Sequence, residues 1–199
     1  GSEGFTGQYV CREFSNAGWE VWRAGVSEKS GVNRYLSIDL LKPDSLTCLT
    51  KVAKLDVVLH LAGVAFVQEN NPYIFYHVNL LGTRHLLDAL SRAKQPPASI
   101  IIASSANVYG NTGLEIIDED ATKYPANDYA VSKLSMEYLA KTFNDKLDLV
   151  ITRPFNYTGR GQSESFLIAK IVSHFRNKKS FIELGNLNIK RDFSDVRDI

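Results

Sequence analysis

The rhythm of this chain limits what it can fold into more than any other feature. Short β-rich apolar runs at residues 19–22, 35–38, 56–61, 99–103 and 148–152 alternate with longer segments of helical periodicity. Residues 5–17 follow a glycine turn. Residues 73–94 carry Val78, Leu81, His85, Leu86 and Leu90 along one side, and residues 129–143 carry Leu134, Met136, Leu139 and Ala140. Apolar positions three and four apart build a helix face, and strand–helix–strand repetition predicts an α/β fold, a parallel sheet with helices on both sides. The runs "DVVLHLAG" and "SIIIASS" are almost wholly apolar, as a central parallel strand covered on both faces requires. The pairs Lys42-Pro43 and Pro96-Pro97 punctuate the elements.

Composition narrows the function classes. With 44% hydrophobic and 23% charged residues in 199, the chain can bury a core and is neither a disordered polymer nor a disulfide miniprotein. The 23 Lys+Arg against 22 Asp+Glu leave a net +1, which offers no footprint for a nucleic acid or a membrane surface. No apolar stretch approaches the length of a bilayer span, and the start lacks the basic and apolar regions of a signal peptide. Cys11 and Cys48 fall in helical segments, with no CxxC or Cys/His cluster, so a reduced, cytoplasmic chain without a metal is expected. After Arg153-Pro154 the rhythm changes. "RPFNYTGRGQSESF" is loop-like, residues 166–177 are helical, "SFIELGN" is a candidate strand, and "RDFSDVRDI" has no assignment. Residues 1–152 therefore form one domain, and residues 153–199 are too few to build an independent core.

Three motifs carry chemistry. Gly1-Ser2-Glu3-Gly4-Phe5-Thr6-Gly7 has GxxGxxG spacing and opens a helix. Glycines allow a tight turn and close approach of a diphosphate to backbone N–H groups, and the helix start adds partial positive charge. The strand that normally precedes such a loop is missing from the chain, and three glycines near a terminus are equally a flexible end. An acid usually ends the second strand and takes the ribose 2′-hydroxyl of a dinucleotide. Here that position falls near Gly25, with Arg23 two residues earlier. A missing carboxylate and a nearby guanidinium favour NADP(H) over NAD(H), unless Arg23 is simply solvated. Asp39-Leu40 is a candidate for the adenine edge, and Leu61-Ala62-Gly63 ends a strand in small residues that let a cofactor lie close.

The second motif is Tyr129-Ala130-Val131-Ser132-Lys133. Residues four apart share a helix face, so the phenol and the ammonium can enter one site. A phenol titrates near 10, too high for proton transfer at neutral pH, and an adjacent cation favours the phenolate. The same Lys133 can reach cofactor ribose hydroxyls. Nine tyrosines make one YxxxK about as frequent as chance allows, so spacing alone decides nothing. The third motif supplies context. "IIIASSANVYG" is a buried strand ending in Ser104-Ser105, and ligands of open parallel sheets bind beyond strand carboxyl ends. Ser105 there is either a hydroxyl for a substrate oxygen or a turn and cap residue.

Taken in order, "GSEGFTG", "DVVLHLAG", "NLLGT" at Asn79–Thr83, "SSANVYG", "YAVSK", "TRPFN" and "RDFSDVRD" resemble an extended short-chain dehydrogenase/reductase of the nucleotide-sugar epimerase/dehydratase group. Within that group, "HLAGVAFV", "NPYIFYHVNLLGT", "YAVSKLSMEYLA" and "RPFNYTGRGQSESFLIA" are most similar to GDP-4-keto-6-deoxy-D-mannose reductases. The resemblance implies a Rossmann-type doubly wound sheet without its first strand, followed by the opening of a smaller substrate-binding region. It implies Tyr129 as general acid/base, Lys133 on the nicotinamide ribose, and Ser105 on the sugar O4. Pro154 and Phe155 would border the nicotinamide. Asn107, Asn156 and Arg191 would contact the nucleotide sugar. It also implies a homodimer formed by the two long helices.

Departures sharpen the reading. Dehydratases of the group carry an acidic pair after the catalytic hydroxyl, where this chain has Ala106 and Asn107, which disfavours 4,6-dehydration. The usual proline of the "GPGQ" loop is Arg160. The resulting expectation is NADPH-dependent reduction of the C4 ketone of a nucleotide-linked 4-keto-6-deoxyhexose. C4 epimerisation with bound NAD is the alternative, with 4,6-dehydration ranked behind it.

Overall fold

The structure is a computed structural model that describes residues 1–29, 31–52, 54–65 and 70–199. Residues 66 and 67 of "HLAGVAFV" lie outside the described residues. The chain divides into two units, Gly1–Arg153 and Pro154–Ile199.

The first unit follows the α/β rhythm. Helix α1 (Phe5–Asn16) leads to β1 (Arg23–Gly25), β2 (Tyr35–Ser37), a 3₁₀ helix (Pro43–Lys51) and β3 (Val57–His60). Then come α2 (Tyr73–Phe75), a π-helical segment (Tyr76–Gly82), α3 (Thr83–Ser91), β4 (Ser99–Ala103), α4 (Asp128–Lys141) and β5 (Leu149–Thr152). The strands pair in parallel as β1-β2 and as β3-β4-β5. The glycine loop runs between the carboxyl ends of these two ladders. Ser2 donates through both N and Oγ to Ala24 O, at 3.1 and 2.9 Å, and a Cβ on Gly1 would lie 2.5 Å from Ala62 N.

Burial explains the ladders. Ile100 and Ile102 of β4 are fully buried and pack with Leu86, Leu87 and Leu90 of α3 and with Met136 and Ala140 of α4. Ile101, between them, is only half-buried, so β4 is fully covered on one face rather than on both. The strand expected at residues 19–22 is not formed. Trp19 and Trp22 are exposed, and Trp19 folds back on α1, its backbone N–H donating to Phe14 O and its ring edge-on to Phe14. Pairing begins instead at Arg23, opposite Tyr35.

The second unit also departs from its expected pattern. The loop-like "RPFNYTG" contains β6 (Asn156–Thr158), which pairs in parallel with β7 (Phe193–Asp195) inside the unassigned "RDFSDVRDI". Local alternation is too short in either segment to announce a ladder made over such a separation. Helix α5 (Leu167–Arg176) forms as expected. "SFIELGN" does not form a strand: Phe181 is exposed, and the Glu183 carbonyl accepts from Lys170 Nζ at 2.6 Å instead of entering a ladder.

No helix is long and apolar enough to cross a membrane among the described residues. Cys11 is buried and Cys48 half-buried, and neither is in a disulfide.

At the end of β3, His60 is buried with Nε2 2.8 Å from Thr83 Oγ1. Burial, then the charges of Lys133 and the amino terminus, push its pKa down to about 3. The unfolded chain takes up this proton near pH 6.5, so the stabilisation is fully present above that pH and declines as pH falls toward 3. The urea midpoint is expected to drop between pH 7 and pH 4, and to drop less in His60→Gln. Equal decline in both proteins would remove His60 as the cause.

Candidate active site

Helix α4 organises the site. Asn127 caps it, its side chain accepting from Ala130 N at 2.9 Å, and Asp128 in the first turn complements the helix dipole. Tyr129, Lys133 and Glu137 follow at four-residue spacing and therefore share one face. All three are buried. The Tyr129 ring meets Phe75 edge-on at 5.9 Å. Lys133 Nζ donates to Ala103 O at 2.8 Å, on the last residue of β4. Burial pushes the Lys133 amine down to about 8, partly opposed by Glu137. Glu137 accepts from Ser104 Oγ at 2.5 Å and from Arg153 Nε and Nη2 at 2.8 and 2.7 Å. Arg153 Nη1 donates on to Tyr109 Oη at 2.8 Å, and the Glu137 hydrogen bonds raise the guanidinium pKa further.

Ser105 stands at the same strand end. It caps a short 3₁₀ turn (Ala106–Tyr109), its Oγ accepting from Asn107 N at 3.2 Å. Accepting an N–H leaves the hydroxyl proton available to donate, so capping and substrate binding are compatible. Asn107 is half-buried in that turn, which ends at Gly110 with φ +66. A Cβ on Gly110 would overlap Tyr124 O, so only glycine fits there.

Asn79 was not among the residues singled out from the sequence, although "NLLGT" contains it. It is fully buried in the π-helical segment. Its Oδ1 accepts from Val64 N at 2.9 Å, and its Nδ2 donates to Val64 O and Ser132 Oγ, both at 3.1 Å. It thus ties the chain after β3 to α4. A Cβ on Gly63 would stand 2.9 Å from Asn79 Oδ1 and 3.3 Å from Lys133 Nζ, so the small residue keeps this corner open.

The glycine loop has the shape a dinucleotide diphosphate needs. A Cβ on Gly7 would overlap Gly1 O, while Gly4 N donates to Gly1 O at 3.2 Å. Phe5 and Thr6 open α1 behind Gly4, and no side chain caps that helix start. Leu61 and Ala62 back the loop. These features fit a nicotinamide dinucleotide at this loop.

At the end of β1 the picture differs from the sequence expectation. Gly25 does end β1 without a side chain, and Arg23 is exposed. A carboxylate is nonetheless present there: Oε2 of Glu3, from the glycine loop, occupies the space a Cβ on Gly25 would need. No local pattern could announce this, because the acid comes from 22 residues upstream of Gly25. Asp39 is engaged locally, its Oδ1 accepting from Leu41 N at 3.0 Å and its Oδ2 lying 3.5 Å from Lys42 Nζ. The Leu40 carbonyl is 2.7 Å from His85 Nδ1.

The remaining expected residues belong to the second unit. Pro154 is half-buried and Phe155 exposed. Asn156 Nδ2 donates to Asp192 O at 3.1 Å, so the β6-β7 ladder brings Asn156 beside the segment carrying Arg191, which is itself exposed.

Comparison with known proteins gives the family. The model of the NAD dependent epimerase/dehydratase family matches residues 1–199. The chain is 36% identical over 201 residues to the GDP-6-deoxy-D-talose 4-dehydrogenase of Aggregatibacter actinomycetemcomitans, covering 100% of this chain and 65% of that protein. It is 37% identical over 172 residues to the GDP-6-deoxy-D-mannose reductase of Pseudomonas aeruginosa, covering 81% and 56%. The structure of RMD from Pseudomonas aeruginosa complexed with NADPH superimposes with a TM-score of 0.82 at 33% identity, over 100% of this chain and 68% of that one. The chain therefore spans less than two thirds of the length of these two sequence relatives.

Removing one partner of a buried ion pair leaves the other charge uncompensated. Glu137→Ala is expected to cost about 3–5 kcal/mol in urea unfolding, and the paired change Glu137→Met with Arg153→Met distinctly less. A single-variant loss below about 1 kcal/mol would show that the pair does not fasten α4 to the strand ends.

Proposed function

Because the chain belongs to the NAD dependent epimerase/dehydratase family, we propose that it carries the cofactor and catalytic half of a nucleotide-sugar C4 oxidoreductase, reducing the 4-ketone of a nucleotide-linked 4-keto-6-deoxyhexose, with GDP-4-keto-6-deoxy-D-mannose the favoured substrate. The observation that carries the reading is the bond from Lys133 Nζ to Ala103 O. It fastens the Tyr129–Lys133 face of α4 to the strand end from which Ser105 emerges. The GDP-sugar relatives support the substrate class.

NADPH supplies the hydride for C4 when bound. Gly1, Gly4 and Gly7 with the start of α1 would hold its diphosphate, and Arg23 is the candidate partner for a 2′-phosphate. Tyr129 donates the proton that the nascent O4 alkoxide takes up. Ser105 donates a hydrogen bond to the same oxygen, where negative charge grows in the transition state. Lys133 is the cation proposed to favour the ionised form of the phenol. Ala106 and Asn107 offer no group that titrates near neutral pH, so these two positions do not supply the extra acid and base for elimination across C5 and C6, which disfavours dehydration. In the second unit, Asn156 and Arg191 are the proposed contacts to the nucleotide sugar, and Pro154 and Phe155 the border of the nicotinamide.

Tyr129→Phe is expected to lower the rate of NADPH consumption with GDP-4-keto-6-deoxy-D-mannose by about 10²–10⁴-fold while changing NADPH affinity little. Turnover at the parent rate would overturn the assignment of Tyr129. Retention of nicotinamide through purification, with interconversion of C4 epimers and no net NADPH consumption, would instead favour the epimerase.

A further inference from the structure

The Glu3 carboxylate has no role in the chemistry at C4, yet it is held firmly. Lys29 Nζ lies 2.5 Å from Oε1, and Ser27 Oγ donates to Oε2 at 3.1 Å. The Tyr35 hydroxyl is buried beside the carboxylate without a bond of good geometry, and the Tyr35 ring lies under Lys29 Nζ at 5.2 Å. The Lys29 hydrogen bond keeps the Glu3 carboxyl below the usual carboxylate range, so it is ionised at neutral pH. About a third of its side chain remains exposed, open to a ligand.

Its position decides what it can do. Oε2 stands against Gly25, the residue that ends β1, at the edge of the glycine loop. In a doubly wound sheet a carboxylate at this strand end accepts from the ribose 2′-hydroxyl of a dinucleotide. A 2′-phosphate at the same spot would meet a like charge. Lys29 and Arg23 act in the opposite sense. The two are near enough that the Arg23 charge disfavours the Lys29 ammonium, and both would attract a 2′-phosphate. While Lys29 is bonded to Glu3, however, one of the two cations is already engaged.

We propose that Glu3 is the residue that sets the choice between phosphorylated and unphosphorylated dinucleotide. Its carboxylate fills the place of a strand-end acid at Gly25, accepts from a ribose 2′-hydroxyl, and opposes a 2′-phosphate both directly and by engaging Lys29. The preference for NADP(H) is then the difference between the pull of Arg23 and Lys29 and the resistance of Glu3. This rests on the dinucleotide site described above.

Calorimetric titration of the purified protein with adenosine 2′,5′-bisphosphate and with adenosine 5′-monophosphate tests it without catalysis. In Glu3→Gln the ratio of the two affinities is expected to shift at least tenfold toward the bisphosphate. Glu3→Ser, which cannot reach Lys29, is expected to shift it the same way. Lys29→Met is expected to shift it oppositely. Binding of both ligands with a ratio unchanged within twofold in both Glu3 variants would overturn the role of Glu3 while leaving the dinucleotide site intact. Failure of the parent protein to bind either ligand would overturn both.

Discussion

One buried carboxylate fixes how helix α4 meets the strand ends. Glu137 is held by Ser104 at the end of β4 and by Arg153 just beyond the end of β5, so α4 is bolted to two strand ends at once. A buried ion pair adds little net stability over a well-packed apolar contact, but removing or displacing one partner leaves an uncompensated buried charge. A slide of α4 by one residue would strand both charges. Lys133 and Tyr129 lie one and two turns toward the helix start on the same face, so the register set by Glu137 is inherited by the pair proposed to move the proton. The constraint reaches further through Arg153 to Tyr109, and so to the turn that Ser105 caps.

Around that bolt the structure is arranged to keep charge where it is needed. His60 remains neutral beside Lys133 because burial and the neighbouring cations oppose its protonation. Lys133 keeps its charge near neutrality, although burial has brought its pKa to about 8. Asn79 satisfies the backbone of Val64 and the hydroxyl of Ser132 without adding charge. An amide suits that position because it donates and accepts at once.

Much of this was legible in the sequence, for physical reasons that differ by element. β3, β4 and β5 and the helices between them follow from hydrophobic period, because burial is what the period records. The Tyr129–Lys133 spacing and the strand end before Ser105 are legible because a helix face and the end of a buried strand are both local facts. What escaped is what depends on distant partners. β6 and β7 are three residues each and exist only as a pair. Trp19 and Trp22 have strand-like side chains, but Trp19 packs on Phe14 instead. Glu137 is buried only through Ser104 and Arg153, which lie 33 and 16 residues away in the sequence, so no local pattern marks it. Glu3 sat inside a glycine motif whose spacing drew attention to the glycines.

The π-helical segment over Tyr76–Gly82 carries a consequence for how this family can vary in length. A wider turn makes room for Asn79 to bond out of the helix. Deleting one residue there with a return to α-helical winding would leave Thr83, Leu86, Leu87 and Leu90 near their present phase, because a π turn carries one residue more than an α turn. What such a deletion would cost is the reach of Asn79 to Val64 and Ser132, and not the core.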